Sequence, residues 1–358
     1  MSKNKIFLIK LVPFVLILAF LFTKVQTVLE LKGYPEGTIH TNANSMFTDY
    51  ILREKQDGFY ALKKDSLDVI FIGSSAVHCN INPGVIWNNY GIAGYDFACD
   101  QQEIGTSYYY LCQALENQSP RVVMIDINGD GTNAPLDSTA AHYALDHIKF
   151  DKYKLQAIFT RAWDRWEEMF FPIILYHERW KGLQESDFEY KPQEDAFKGA
   201  FVYTLEADNE PFEVPDVIPS SELPDVTRGW LDKIVSRCEE AGCEVIFMRN
   251  PMATYEEGSY SYYEAVGRYC DEKGIKFLNF TRMGDELGLD YSKDFVDTLH
   301  MNWSGQQKMA DWMGAYLMSQ YAFDDKRQNP EYSSWNEDYQ RMLEYIGECE
   351  TTEDTFGK

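Results

Sequence analysis

Four short apolar runs constrain the fold of this chain more than any other feature. They are Leu67–Ile72, Arg121–Ile127, Cys243–Met248 and Ile275–Asn279, each closed by polar or turn residues. A run of this length without alternation reads as a strand buried on both faces, the pattern of a parallel sheet covered by helices. A shorter strand is predicted at Tyr95–Ala98. Helices are predicted at Asn82–Asn88, Glu103–Glu116, Val226–Ala241, Ser259–Lys273 and Ser304–Tyr321. The β-α alternation predicts an α/β fold with five parallel strands.

The alternation is interrupted over about 140–225. This stretch is rich in aromatic residues, reads as helical over Lys154–Phe171, and ends in an acidic, Pro-rich loop over 205–225. An insertion of this kind often shapes the substrate cleft of an open α/β sheet. The expected organisation is therefore residues 1–29 as cytoplasmic start and anchor, 30–66 as a stalk or lead-in, 67–323 as one α/β domain, and 324–358 as an acidic tail. The tail carries an amphipathic stretch, Trp335–Ile346, to which the sequence assigns no role.

Residues Ile6–Phe22 are apolar apart from Lys10, with Lys3 and Lys5 before them and Thr23-Lys24 after. A spanning helix needs about 17–25 such residues, and lysines ahead of the run place the N-terminus inside. No small-residue cleavage site follows Phe22. An uncleaved single-pass anchor with an extracytoplasmic domain is the favoured reading, and a cleaved signal peptide is the alternative.

The formal net charge of −24 argues against nucleic-acid partners. The 45% of apolar residues is ample for a packed core. Seven cysteines stand at irregular spacings with no C-x-x-C pair, so no metal site is expected. Most read as buried small side chains, and a bridge between Cys79 and Cys99 is an open alternative. No cofactor is implied.

Two motifs stand where ligands bind in this fold class, beyond the carboxyl ends of the strands. Gly73-Ser74-Ser75 follows the first strand, and a serine on such a turn can present its hydroxyl. Asp297-Thr-Leu-His300 precedes the last helix and supplies a base with a carboxylate to fix its tautomer. None of the other five histidines has an Asp three residues before it. Taken alone, each motif is as well explained by a turn or a helix cap.

The segment Asp68-Val-Ile-Phe-Ile-Gly-Ser-Ser75 resembles the first block of SGNH/GDSL hydrolases. Asp297-Thr-Leu-His300-Met-Asn302-Trp-Ser-Gly305 resembles their last block. Further stretches (Tyr90–Ala93, Ser107–Leu111, Pro120–Asp126, Phe171–Trp180) resemble a membrane-anchored Gram-positive branch, similar in plan to the D-alanyl transfer protein and to polysaccharide O-acetylation proteins. The resemblance implies a flavodoxin-like, three-layer α/β/α sandwich, with Ser75 as nucleophile, His300 as base and Asp297 as its orienter. It also implies acyl-ester chemistry on a cell-envelope polysaccharide or teichoic-acid-like polymer, and a multi-pass membrane O-acyltransferase as a partner. The chain departs from the family pattern in three places. Ser74 replaces the usual Asp. No glycine follows the second strand, which leaves the backbone near Gln101 as oxyanion donor. The third block reads Asn128-Gly-Asp130, with Asn128 as a second donor. A catalytically silent envelope scaffold is the other function these departures leave open.

Further substrate contacts are expected from His78 as a cleft-lining residue, from His177 and Arg179 in the insertion, and from Arg249 with Asn250 after the fourth strand. His142 and His147 are expected to be structural. Tyr260–Tyr263 reads as a helix face, with a carbohydrate groove as the other reading.

Overall fold

The computed structural model describes residues 3–29, 45–129, 133–171, 173–183, 185–189, 195–219 and 221–356. Residues 30–44 of the expected stalk, and Asp130 of the third block, lie outside them. The five expected strands are present as β1 (Val69–Ile72), β2 (Gly94–Asp96), β3 (Val122–Asp126), β4 (Glu244–Arg249) and β5 (Lys276–Asn279). They form one parallel sheet in the order β2-β1-β3-β4-β5.

Alternate residues of each strand enter two separate cores. Ile70, Ile72, Val123, Ile125 and Phe247 pack on one face with the helices Ile104–Asn117, Asp225–Ala241 and Glu257–Lys273. Val69, Phe71, Met124, Ile246 and Met248 pack on the other with Pro83–Tyr90 and Trp303–Tyr321. Burial on both faces is why the strands read as continuous apolar runs, and the result is the expected α/β/α sandwich.

Local chemistry sets the helix ends. Asn82 accepts from the Val85 N–H and Pro83 follows it, while Gly91, at φ 71°, closes that helix in the left-handed region. The helical stretch expected over Lys154–Phe171 is two helices, Lys152–Arg161 and Trp166–Phe170. The break falls where the Arg161 carbonyl accepts from Leu136 N–H at 2.7 Å.

Two segments read as peripheral belong to the core. Within the expected lead-in, Ser45–Ala61 is one long helix. Phe59 is fully buried, its ring stacked on Phe97 at 4.0 Å, and Tyr95 donates to the Lys55 carbonyl at 2.7 Å. The Lys55 ammonium donates to the carbonyls of Gly199 and Ala200. In the tail, Ser333–Phe356 is a helix whose Trp335 meets Trp87 at 5.1 Å and whose buried Asp338 pairs with Lys198. The seven cysteines form no disulfide, and Cys79 and Cys99 are both buried thiols with no bridge between them.

At the N-terminus, Lys3–Leu29 is one helix, long and apolar enough over Ile9–Leu29 to cross a membrane. If the helix carrying Phe59 were a detachable lead-in, Phe59→Ala would be silent. As a core element it should destabilise the full chain by about 3–5 kcal/mol, read by denaturant unfolding.

Candidate active site

In a sheet of this order the crevice opens at the carboxyl end of β1, where neighbouring connections leave on opposite faces. There the chain turns through Gly73 and Ser74 into one helical turn, Ser75–His78. A Cβ on Gly73 would stand 2.6 Å from Val77 Cγ2 and 2.8 Å from Asp126 Cβ, so only glycine lets the turn pass the end of β3. Ser74 caps the turn, its Oγ accepting from the Ala76 N–H, and its side chain is buried. Ser75 is left half-buried at the crevice.

The loop before the last helix meets it. Asn302 caps Trp303–Tyr321 by accepting from the Gly305 N–H at 3.2 Å. A Cβ on Gly305 would lie 2.3 Å from the Asp294 carbonyl oxygen, which explains the Asn-x-x-Gly spacing. Val296 N–H donates to the His300 carbonyl at 2.9 Å and Asn302 N–H to the Asp294 carbonyl at 3.0 Å, so 294–302 is a tight hairpin. Asp297 Oδ1 accepts from the N–H groups of Leu299 and His300 at 2.7 and 2.8 Å. Its Oδ2 stands 2.7 Å from His300 Nδ1, and His300 Nε2 stands 2.8 Å from Ser75 Oγ. A carboxylate on Nδ1 fixes the tautomer in which Nε2 is a bare acceptor facing the hydroxyl. Partial burial alone would raise the Asp297 pKa, but the hydrogen bond and charge of His300 outweigh it and hold the carboxyl below its ordinary value. Asp297 therefore stays ionised throughout the neutral range.

Asn80, which the sequence gave no reason to single out, joins the two loops. Its amide nitrogen donates to the Leu299 carbonyl at 3.0 Å and its Oδ1 accepts from Met301 N–H at 2.7 Å. It is fully buried. The chain at 201–209 bonds to both loops: Phe201 N–H donates to the His78 carbonyl of the serine turn, and Ala207 N–H and the Asn209 amide donate to the Phe295 and Asp297 carbonyls of the hairpin.

The remaining predicted residues divide. Gln101 follows β2 at the same edge of the sheet, exposed, with φ at 55°. A non-glycine residue there costs roughly 1–2 kcal/mol, so the backbone keeps the shape a glycine would take although the side chain differs. Asn128 follows β3 and its Oδ1 lies 3.5 Å from Arg249 Nη1.

Arg249 is corrected. Its side chain is 3% exposed and donates to Asp126 Oδ2 at 2.9 Å, while Asn250 donates to Asp126 Oδ1 through its backbone and its amide. The Asp126 carboxylate at the end of a buried strand needs these donors, so Arg249 braces the crevice from within. His78 is likewise buried, with Nε2 3.1 Å from Asp100 Oδ1. Burial pushes its pKa down in spite of Asp100, so it donates as a neutral ring. Burial would raise Asp100, but the bond from His78 outweighs it and keeps the carboxyl ionised. His177 is exposed on a short 3-10 segment, its Nδ1 2.9 Å from the Ile174 carbonyl oxygen. Arg179 donates to the Leu29 carbonyl at 2.7 Å and to Asp187 at 2.7 Å, at the end of the N-terminal helix. Among the described residues no group of His, Cys, Asp and Glu is arranged to hold a metal ion.

No protein-family model matches the chain, and no curated protein does. Solved structures similar to it include three described as lipolytic, acylhydrolase and lipase proteins. One is a protein described as lipolytic, of the G-D-S-L family, from Desulfitobacterium hafniense: 11% identity, 69% of this chain and 97% of that one covered, TM-score 0.36. A second is described as an acylhydrolase, from Bacteroides fragilis: 13% identity, 78% and 99% covered, TM-score 0.38. A third is a GDSL-like lipase from Bacteroides thetaiotaomicron: 12% identity, 70% and 87% covered, TM-score 0.34. The functional reading therefore rests on this chain's own geometry.

Asn80→Ala removes both bonds between the loops and leaves the buried Met301 N–H unpaired. It should cost about 1–3 kcal/mol of stability for that orphaned group and lengthen the Ser75–His300 contact. Unfolding and serine-probe labelling, measured side by side, check the two effects.

Proposed function

We propose that this chain is a membrane-anchored serine esterase or O-acyltransferase of the SGNH type, acting on acyl esters of a cell-envelope polysaccharide. The observation that carries the proposal is the continuous chain from Ser75 Oγ through His300 to Asp297, with contacts of 2.8 and 2.7 Å. As Ser75 Oγ attacks the acyl carbonyl, its proton passes to His300 Nε2. Asp297 holds the imidazolium that forms. The leaving alcohol takes the proton from His300, and the acyl group stays on Ser75. A water molecule or a polysaccharide hydroxyl then attacks the ester, giving its proton to His300 and restoring the serine.

The developing oxyanion is assigned to the backbone N–H groups of Ser75 and Gln101, with the Asn128 amide as a further donor. The left-handed backbone at Gln101 supports that role, since strain of this kind is kept at functional sites. The N-terminal helix is assigned as the anchor, with Lys3 and Lys5 on the inner side and the catalytic domain outside. A domain tethered in this way suits an acceptor polymer fixed at the envelope and a multi-pass membrane O-acyltransferase that delivers acyl groups. His177 is the one exposed member of the predicted substrate set and is assigned to the approach of the polymer.

The detergent-solubilised full chain should label with a fluorophosphonate probe, and Ser75→Ala should abolish the labelling. A folded wild type that does not label would instead indicate a silent scaffold. Asp297→Asn keeps the nucleophile but loses the tautomer control, and its labelling rate should fall roughly 10²–10⁴-fold.

A further inference from the structure

We infer that the helical insertion between β3 and β4 is seated in the membrane interface, as a second contact with the bilayer beside the anchor helix. This rests on the anchor reading above. Phe22 closes the continuous apolar run of the helix, Lys24 follows it, and Leu29 ends the stretch apolar enough to span, so the outer boundary of the hydrocarbon falls between Phe22 and Leu29. Phe171 of the insertion lies edge-on against Phe22, with ring centroids 6.1 Å apart. Arg179 donates to the carbonyl of Leu29, about 10 Å further along the helix. These two contacts fix the insertion at the depth where the span leaves the bilayer.

The same segment turns large apolar side chains to solvent. Trp163 is 55% exposed, Trp166 40%, Trp180 66% and Phe188 66%. The other five tryptophans are buried or half-buried: Trp87, Trp230 and Trp335 are in the core, and Trp303 and Trp312 are partly covered. Three of eight tryptophans therefore gather, exposed, in eighteen residues beside the end of the span. Tryptophan is enriched at lipid headgroup level because its ring is apolar and its N–H is polar. An aqueous surface gains nothing from such a group, and an exposed aromatic patch of this kind marks an interaction site. The occupant is lipid because the patch is continuous with a helix that itself requires lipid. With a net charge of −24, the chain cannot be drawn to the membrane by electrostatics, so the seating is apolar and insensitive to salt. The consequence for the proposed function is a catalytic domain held at a set height over the membrane instead of swinging on a tether.

The span contains no tryptophan, so tryptophan emission reports on the folded part alone. The full chain is reconstituted in phosphatidylcholine vesicles whose acyl chains are brominated near the headgroup, or are not brominated. The expected result is flotation with the vesicles, bromine-dependent quenching unchanged by high salt, and loss of that quenching in a variant carrying W163F, W166F and W180F together. These substitutions are conservative and lie at the surface, and retained near-UV circular dichroism confirms the fold. Flotation without quenching, or quenching that persists in the triple variant, overturns the inference and leaves the anchor intact. Failure to float overturns both.

Discussion

β1 has a neighbour on each side, β2 at one and β3 at the other, and the rest of the molecule follows from that. The helix after β1 packs on one face of the sheet, and the helices after β2 and β4 pack on the other. Backbones that leave in opposite directions open a crevice at the strand ends. Ser75 stands at its floor because it is the first residue of the turn after β1. Gly73 is the local condition for this, since a side chain there would collide with the end of β3.

The site is assembled from parts far apart in the chain, and buried polar groups hold them together. Asn80 ties the serine turn to the His300 hairpin, and Asp126 gathers Arg249 and Asn250 beneath them. Asp294 accepts from Lys308 and Ser304 in the helix Trp303–Tyr321. Each of these is costly to break, because removing one partner leaves a buried polar group or charge uncompensated. Their expense purchases a fixed distance between hydroxyl and imidazole, which neither loop could maintain alone. The acidic surplus of the chain lies mostly outside this network, where water screens it.

The insertion and the two chain ends lie outside the regular β-α alternation of the sheet. The helix Ser45–Ala61 and the final helix Ser333–Phe356 both close the core near β2, through Phe59 on Phe97 and Trp335 on Trp87. The insertion, by contrast, leaves its aromatic side chains uncovered at the end of the N-terminal helix. One set of aromatic residues packs in the core, and the other is left exposed.

Much of this was legible in the sequence. Apolar runs of four to seven residues gave the strands, because strands buried on both faces cannot alternate. Ser75, Asp297 and His300 could be singled out only jointly, by their common place at the carboxyl edge of the sheet and by the resemblance of their two blocks, because each motif alone reads equally well as a turn or a cap. The peripheral reading of 45–61 and 324–358 failed because an acidic, mixed sequence hides a narrow apolar face that only its neighbours reveal. Arg249 was placed correctly at a strand end, but its direction was not legible, since whether an arginine faces solvent or a buried carboxylate depends on Asp126, more than a hundred residues earlier. Asn80 and the left-handed backbone of Gln101 had no local signal at all. The sequence by itself determined the strands, the apolar N-terminal helix and three candidate groups for the site, because periodicity and turn chemistry act over a few residues. Only the tertiary structure decided which of those groups meet, because contact across a sheet is set by strand order and by buried hydrogen bonds between distant loops.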